Sequence, residues 1–319
     1  MALITNSTYQ PPFWLANHHI ETIYPALFRK VSFDAASDHV IITTPDNDFF
    51  ELSYYHNHSD KTVIISHGLE GNKDRHYMLG MAKIFYQQEY NVVTWSYRGC
   101  DGQVNNSIKS YHSGFTEDLE EVIKYADKPN INSLALVGFS LGGNLTLRYL
   151  GKSGKVNKKV GCAVALSVPL DLHHGCLKIS EPSNLIYTRR FLKTLKKKVK
   201  QKAKQFPSIN TNHLSKIRNL MTFDDYYTAP LHGFKDALDY YNSCSSIYVL
   251  DKIKVPTLII NALNDPFLPK ECYPYDLLKD HPFVHLETPS RGGHVGFHGR
   301  GGGVYWSESR SLEFIESSI

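Results

Sequence analysis

The 319-residue sequence has no run of the roughly 20 apolar residues that a membrane-spanning helix needs. Its first ten residues lack the basic and apolar segments of a secretory signal peptide. The five cysteines are odd in number and scattered without metal-like pairing, so we expect reduced thiols rather than a disulfide framework. These absences favour a cytoplasmic protein that is neither exported nor embedded in a membrane.

Internal repeats and low-complexity linkers are also absent, which makes two independent domains less favoured than one. Hydrophobic residues form 42% and aromatic residues 12% of the chain, enough for a folded core. The formal net charge of +4 is mild. We therefore expect one large α/β domain that carries an insertion.

Apolar runs typical of strands alternate with segments of helical periodicity along most of the chain. This pattern predicts a mostly parallel sheet with helices on both faces and an antiparallel hairpin at its start. Strands are predicted at residues 40–44, 50–55, 62–66, 91–95, 133–137, 161–166, 257–261 and 284–287, and helices at residues 77–89, 116–126, 141–150 and 309–316.

The alternation stops between residues 170 and 248, where the chain is helix-like, basic and aromatic. This segment enters after one predicted strand and leaves before another. We expect it to be a helical lid insertion that divides the core into an N-terminal part, residues 1–169, and a C-terminal part, residues 249–319. Such a lid would cover a site at the sheet edge and shape its pocket.

Ser140 is the best candidate for a nucleophile, because it lies in a G-x-S-x-G pattern between a predicted strand and a predicted helix. A serine hydroxyl is a weak nucleophile, so it must be held on a sharp turn beside a base and backbone N–H donors. Gly138 and Gly142 remove the Cβ atoms that would clash in that turn. The pattern also occurs by chance, so its partners decide its role.

Two candidate partners follow later in the chain. Asp265 comes just after an apolar strand, at the carboxyl end where open α/β sheets keep their sites. His294 lies in a glycine-rich loop after the next apolar run. An Asp-Pro turn alone would explain Asp265, but the order Ser140, Asp265, His294 is that of a catalytic triad on an α/β sheet.

The loop His67-Gly68-Leu69-Glu70-Gly71 follows an early strand and completes the predicted machinery. The backbone N–H of Leu69 is expected to stabilise a developing oxyanion, together with that of Leu141, the residue after the nucleophile. His67 is expected to brace this turn rather than to transfer protons.

Residues 189–204 contain nine basic residues and no acidic one. Their apolar residues have the spacing of one helical stripe, which favours a lid helix with a solvated basic face. Contact with anionic lipid headgroups or an acidic substrate is the alternative. No motif supports binding to nucleic acid. The stripe comprises Phe191, Leu192, Leu195 and Val199.

Seven segments in a fixed order give the sequence its resemblance to a known family: residues 17–25, 67–71, 97–100, 111–114, 138–144, 264–267 and 292–297. With these segments the chain resembles the YheT-like branch of the α/β-hydrolase superfamily, which includes esterases, lipases and acyltransferases. The resemblance implies the α/β-hydrolase fold and a triad of Ser140, Asp265 and His294. Glu70 departs from the small or polar residue expected in the family's H-G loop.

These observations lead to the hypothesis of a serine carboxylic-ester hydrolase that needs no metal or organic cofactor and acts on a short- or medium-chain acyl ester. Acyl transfer to an alcohol would use the same residues, and a non-catalytic protein that binds a hydrophobic ligand would use the same pocket. Both alternatives stay open. Cys100 has no base paired with it in sequence, and His112 is expected to belong to a polar network that fixes its loop.

Overall fold

A computed structural model describes residues 2–15, 17–152, 156–299 and 303–319. Within these residues one sheet has nine strands: β1 (Leu3–Ile4), β2 (Asp38–Thr43), β3 (Phe49–Tyr55), β4 (Lys61–Ser66), β5 (Asn91–Trp95), β6 (Ser133–Phe139), β7 (Val160–Leu166), β8 (Thr257–Ile260) and β9 (Val284–Glu287). Their order in the sheet is β1-β9-β8-β7-β6-β4-β5-β3-β2.

The sheet is mostly parallel, as predicted. Among the described strands, β3 runs antiparallel to both of its neighbours, β2 and β5, and all remaining neighbours pair in parallel. The β2–β3 pair is the predicted antiparallel hairpin. Because β4, β6, β7 and β8 are parallel neighbours, the loops after them meet at one edge of the sheet.

Helices cover both faces of the sheet. The helices are α1 (His18–Phe28), α2 (His76–Gln87), α3 (Thr116–Ala126), α4 (Leu141–Leu150), α5 (Leu172–Ile179), α6 (Leu185–Gln205), α7 (Leu220–Phe223), α8 (Ala229–His232), α9 (Ala237–Cys244), α10 (Tyr275–Leu278) and α11 (Trp306–Glu316). Helices α3 and α4 pack in the apolar core on one face, and α2 and α11 pack in the core on the other. The fold-class prediction is confirmed.

Two elements near the N-terminus were not predicted. Strand β1 has two residues and pairs with β9, which lies at the opposite end of the sequence. Helix α1 buries Glu21 and exposes Ile20, Leu27 and Phe28, so its apolar residues do not mark a core-facing side. Periodicity reasoning assumes that they do, and it therefore fails here.

The segment between β7 and β8 is helical and has its own apolar cluster. Helices α5 to α9 lie in it, and side chains such as Leu172, Tyr187, Leu214 and Tyr240 pack together. The division at residues 170 and 248 stays a prediction about domains. None of the helices in the described ranges combines the length and apolarity needed to span a bilayer.

Candidate active site

Ser140 lies between β6 and α4, at the edge of the sheet where the parallel strands end. Its backbone has φ of +53° and ψ of −116°, a conformation that costs energy in a non-glycine residue and is typical of functional turns. A Cβ atom at Gly138 would overlap the backbone of Gly142, and one at Gly142 would lie 2.5 Å from the carbonyl oxygen of Ser66. The two glycines therefore permit the turn that presents the Ser140 hydroxyl.

Asp265 and His294 come together with Ser140 in a single hydrogen-bonded chain. His294 Nε2 lies 3.0 Å from Ser140 Oγ, and His294 Nδ1 lies 2.9 Å from Asp265 Oδ2. The Asp265 carboxylate is buried and also accepts a hydrogen bond from the Phe267 N–H at 2.9 Å. A histidine held this way has Nδ1–H directed at the carboxylate and Nε2 free to accept the serine proton.

Helix α1 holds the two loops that carry Asp265 and His294. The buried Glu21 carboxylate accepts hydrogen bonds from Asn264 Nδ2 at 2.6 Å and from the Gly292 N–H at 3.2 Å. Thr22 Oγ1 accepts one from the His294 N–H at 2.9 Å. The sequence motif of residues 17–25 contributed only to the family resemblance, because nothing local to it signals a contact some 270 residues away.

The loop after β4 packs against the nucleophile. A Cβ atom at Gly68 would lie 3.2 Å from Ser140 Cβ and 3.8 Å from Ser140 Oγ. In the part of the chain that the structure describes, neither the Leu69 N–H nor the Leu141 N–H donates a hydrogen bond to a protein acceptor. Both N–H groups are therefore available for an oxyanion beside Ser140.

His67 makes contacts that suit a brace. Its Nδ1 donates to the Gly68 carbonyl oxygen at 2.7 Å, and its Nε2 accepts from the Tyr97 N–H at 3.1 Å. The Tyr97 hydroxyl donates to the His67 carbonyl oxygen at 2.7 Å. Burial lowers the pKa of His67 to about 3, opposed in part by the hydrogen bond to Gly68. A neutral imidazole with both nitrogens engaged supports the structural role.

This buried histidine predicts acid sensitivity. Between pH 6.5 and pH 3 the unfolded chain protonates His67 and the folded chain does not, so stability falls as the pH drops below 6.5. The expected contribution is about 1.4 kcal/mol per pH unit in that window. Urea unfolding at pH 7.5 and pH 5 should show a smaller pH dependence for His67→Asn than for wild type. Identical pH dependence in both proteins would contradict the prediction.

A pocket lies beside Ser140 and His294, between the sheet edge and helices α5 to α9. Most of its wall is apolar, with contributions from α5, α6 and α7. Apolar lining of this kind is typical of sites for hydrophobic small molecules. The apolar lining residues include Leu69, Leu141, Leu172, Ile179, Phe191, Leu195, Val199, Ile209, Leu220, Phe223, Leu231 and Phe267.

An ion pair connects the pocket wall to the loop after β4. Lys198 Nζ on α6 lies 2.7 Å from Glu70 Oε1 and 3.0 Å from Cys100 Sγ. The Tyr111 hydroxyl donates to the same Glu70 oxygen at 2.7 Å. The residue that departs from the family pattern is thus held by α6. Burial raises the pKa of Cys100 to about 11, so this thiol is protonated at neutral pH despite the nearby lysine.

The basic run of residues 189–204 lies on α6 and is only partly the solvated face that was expected. Six of its basic side chains are exposed: Arg189, Arg190, Lys193, Lys197, Lys200 and Lys204. Lys202 is buried, and its ammonium group donates to Asn105 Oδ1 at 2.8 Å and to the Lys109 carbonyl oxygen at 2.7 Å. Burial lowers the pKa of Lys202 to about 8. Lys198 and Lys202 therefore link α6 to the core through an ion pair and hydrogen bonds.

His112 is buried among aromatic rings and its Nδ1 accepts from the Gly114 N–H at 3.1 Å. Burial holds its pKa well below the usual range. Although His112 lines the pocket, these contacts support its expected role in fixing the loop.

All five cysteines are buried and unbonded to one another. Among the described residues, no group of three or more His, Cys, Asp or Glu side chains could hold a metal ion.

Comparison with known proteins places this geometry in context. Residues 61–300 match a sequence profile described as the alpha/beta hydrolase fold. YheT of Escherichia coli (strain K12) is 33% identical, over 99% of this chain and 95% of its own length. Phospholipase ABHD3 of Bos taurus is 28% identical, over 92% of this chain and 74% of its own. The Pyrococcus furiosus esterase Pf2001 has a similar fold, with a TM-score of 0.60 and 20% identity over 91% of this chain and 98% of that one.

Proposed function

The chain belongs to the YheT-like branch of the α/β hydrolase fold family, and from that premise we propose that it is a serine carboxylic-ester hydrolase. The resemblance seen in the sequence is confirmed by the 33% identity to YheT. The family makes the protein a hydrolase of the esterase and lipase type. The finer proposal concerns its catalytic residues, its intermediate and its substrate class.

One observation carries the proposal. His294 lies between the Ser140 hydroxyl, at 3.0 Å, and the buried Asp265 carboxylate, at 2.9 Å, in the lining of a mostly apolar pocket. A protein that only binds a hydrophobic ligand does not require this chain of three hydrogen-bonded groups. The arrangement matches the requirements of an activated serine nucleophile.

In the acylation step, Ser140 Oγ attacks the carbonyl carbon of the ester while His294 Nε2 accepts the hydroxyl proton. The Asp265 carboxylate keeps Nδ1 protonated and stabilises the imidazolium that forms. Negative charge develops on the carbonyl oxygen, where the N–H groups of Leu69 and Leu141 donate hydrogen bonds. His294 then protonates the leaving alcohol, and an acyl-enzyme remains.

In the second step, His294 accepts a proton from water, and the resulting hydroxide attacks the acyl carbon bound to Ser140. The tetrahedral intermediate is stabilised by the same two N–H groups. Its collapse returns the proton from His294 to Ser140 Oγ and releases the carboxylic acid. The proposed sequence uses these three side chains, the two backbone N–H groups and water.

The pocket wall supports a short- or medium-chain acyl ester as substrate. Apolar side chains such as Leu172, Phe191 and Phe267 would contact an acyl chain. Lys198 and Lys202 interrupt the apolar wall. An acyl chain long enough to contact these ammonium groups would meet polar surface in place of the apolar wall, which is unfavourable.

A series of p-nitrophenyl esters from acetate to palmitate, combined with a fluorophosphonate label, tests this proposal. We expect turnover with an optimum at short or medium chains, one label per chain by intact mass, and the label on the peptide that contains Ser140. Prior labelling should stop turnover. Neither turnover nor label on folded protein would reject the esterase in favour of a protein that binds a hydrophobic ligand.

A further inference from the structure

Helix α1 exposes apolar side chains to solvent, whereas its acidic side chain, that of Glu21, is buried. Ile20, Leu27 and Phe28 are 46%, 62% and 63% exposed, whereas Glu21 is 1% exposed. Phe13, shortly before the helix, is 93% exposed. An ordinary surface helix has the opposite arrangement, so this face is expected to contact something apolar.

Ring contacts join three aromatic side chains at this face of α1. The Trp14 ring packs on Tyr24 at 4.7 Å between centroids, and Tyr24 packs on Phe28 at 5.1 Å. Ile20, Tyr24, Leu27 and Phe28 have the spacing of one helical face. We call this set, with Phe13 and Trp14, the aromatic face of α1.

The exposed side of α6 carries a row of cations. Five exposed cations follow the exposed Ile186 at alternating intervals of four and three residues, which places all six side chains on one face of the helix. The cations are Arg190, Lys193, Lys197, Lys200 and Lys204. None of the five cations has a carboxylate within ion-pair distance among the described residues. Residues 182–223 contain no acidic residue at all. We call this row the basic face of α6.

The two helices meet beside the proposed catalytic histidine. His19 Nδ1 of α1 lies 3.0 Å from the Tyr187 hydroxyl of α6, and Tyr187 packs on Phe267 at 4.7 Å. Phe267 packs on His294 at 4.1 Å between centroids. Ile20 and Ile186, the chain neighbours of His19 and Tyr187, are both exposed at this junction. The junction of α1 and α6 is therefore two ring contacts from the reacting groups.

We propose that the aromatic face of α1 and the basic face of α6 together form a docking surface for membranes that contain anionic lipids. Apolar rings would enter the acyl boundary while the lysines and arginines contact the anionic headgroups, as in interfacial helices. A nucleic acid would use the cations but would not require the exposed Ile, Leu and Phe side chains. Docking this junction would bring a membrane-dissolved ester to within two ring contacts of His294, a consequence that rests on the proposed function.

Vesicle sedimentation tests the surface without any catalytic step. Wild type should bind phosphatidylcholine vesicles that contain phosphatidylglycerol. Binding should be much weaker to vesicles of pure phosphatidylcholine, and it should also weaken when the salt concentration is raised. Lys193→Glu with Lys197→Glu should lower binding by about tenfold or more, because both substitutions replace attraction to the anionic headgroups with repulsion. Phe13→Ser with Phe28→Ser should also weaken binding several-fold.

The matched control is Lys252→Glu with Lys254→Glu, which makes the same charge change at exposed positions just before β8, at the opposite end of the strands. The control should bind like wild type, and every variant should hydrolyse a water-soluble ester normally. Equal losses in the control and the α6 variant, or no vesicle binding at all, would overturn the proposal. So would binding of a duplex oligonucleotide in place of vesicles. Vesicle binding without ester turnover would instead reject the proposed function alone.

Discussion

Replacing Ser140 with alanine is expected to lower kcat by roughly 10⁵- to 10⁶-fold without unfolding the protein. The hydroxyl is the group that attacks the ester, and it lies 3.0 Å from the His294 nitrogen that would accept its proton. Alanine fits the same backbone because it adds no atom to the turn. Steady-state turnover of a p-nitrophenyl ester measures the loss, and fluorophosphonate labelling should vanish with it.

Ser110→Ala is the matched control, because Ser110 also lines the pocket and its hydroxyl accepts a hydrogen bond from Lys202 rather than from His294. It should keep most of the activity. His294→Ala should lose about as much as Ser140→Ala, and the double variant should lose little more, because the two residues act as a unit. Full turnover by folded Ser140→Ala, or a double variant whose losses multiply, would refute the assignment.

Much of this architecture is predictable because it depends on local patterns. Strands β5 and β9 and helices α3 and α4 match the predicted bounds, since β-branched runs and helical spacing coincide with their buried faces. The turn at Ser140 is predictable for a related reason. A Cβ atom at residue 138 or 142 would overlap neighbouring backbone atoms, so the turn requires glycine at both positions and the two glycines can be recognised in the sequence.

What the sequence does not reveal depends on pairs of distant residues. Lys198 and Lys202 are lysines in the same basic run as their solvated neighbours. Their hydrogen-bond partners lie about 100 residues away in the sequence, so no local pattern marks these two lysines as inward-facing. Glu21 is a similar case in α1. Hydrolysis and acyl transfer are indistinguishable in sequence because both use the same triad and differ in how water reaches the acyl-enzyme.

Replacing Arg98 should strongly destabilise the folded protein. Its guanidinium is buried and contacts three carboxylates, those of Asp118 at 2.9 Å, Asp46 at 2.9 Å and Asp48 at 3.0 Å. Arg98→Met would leave these carboxylates without their cation. Removing one partner of a buried ion pair typically costs about 3 to 5 kcal/mol in the free energy of unfolding. Urea unfolding at pH 7.5 measures the change.

The pH dependence separates lost charge pairing from lost packing. Burial raises the pKa of Asp118 to about 6 even with Arg98 opposing it, so without Arg98 this carboxyl should stay protonated at still higher pH in the folded protein. A folded-state pKa above the unfolded value means that stability falls as the pH rises. The deficit of Arg98→Met should therefore be larger at pH 8 than at pH 5.

Two comparisons make this prediction specific to the buried carboxylates. Arg218→Met, an identical change at an exposed arginine that donates to the backbone carbonyl oxygens of Ser215 and Ile217, should cost less than about 1 kcal/mol. Adding Asp118→Asn to Arg98→Met should recover part of the loss, because one unpaired charge is removed while the side-chain volume is kept. A deficit that is independent of pH and unchanged by Asp118→Asn would show that Arg98 stabilises the fold by packing, through its alkyl chain and its contact with the Phe115 ring.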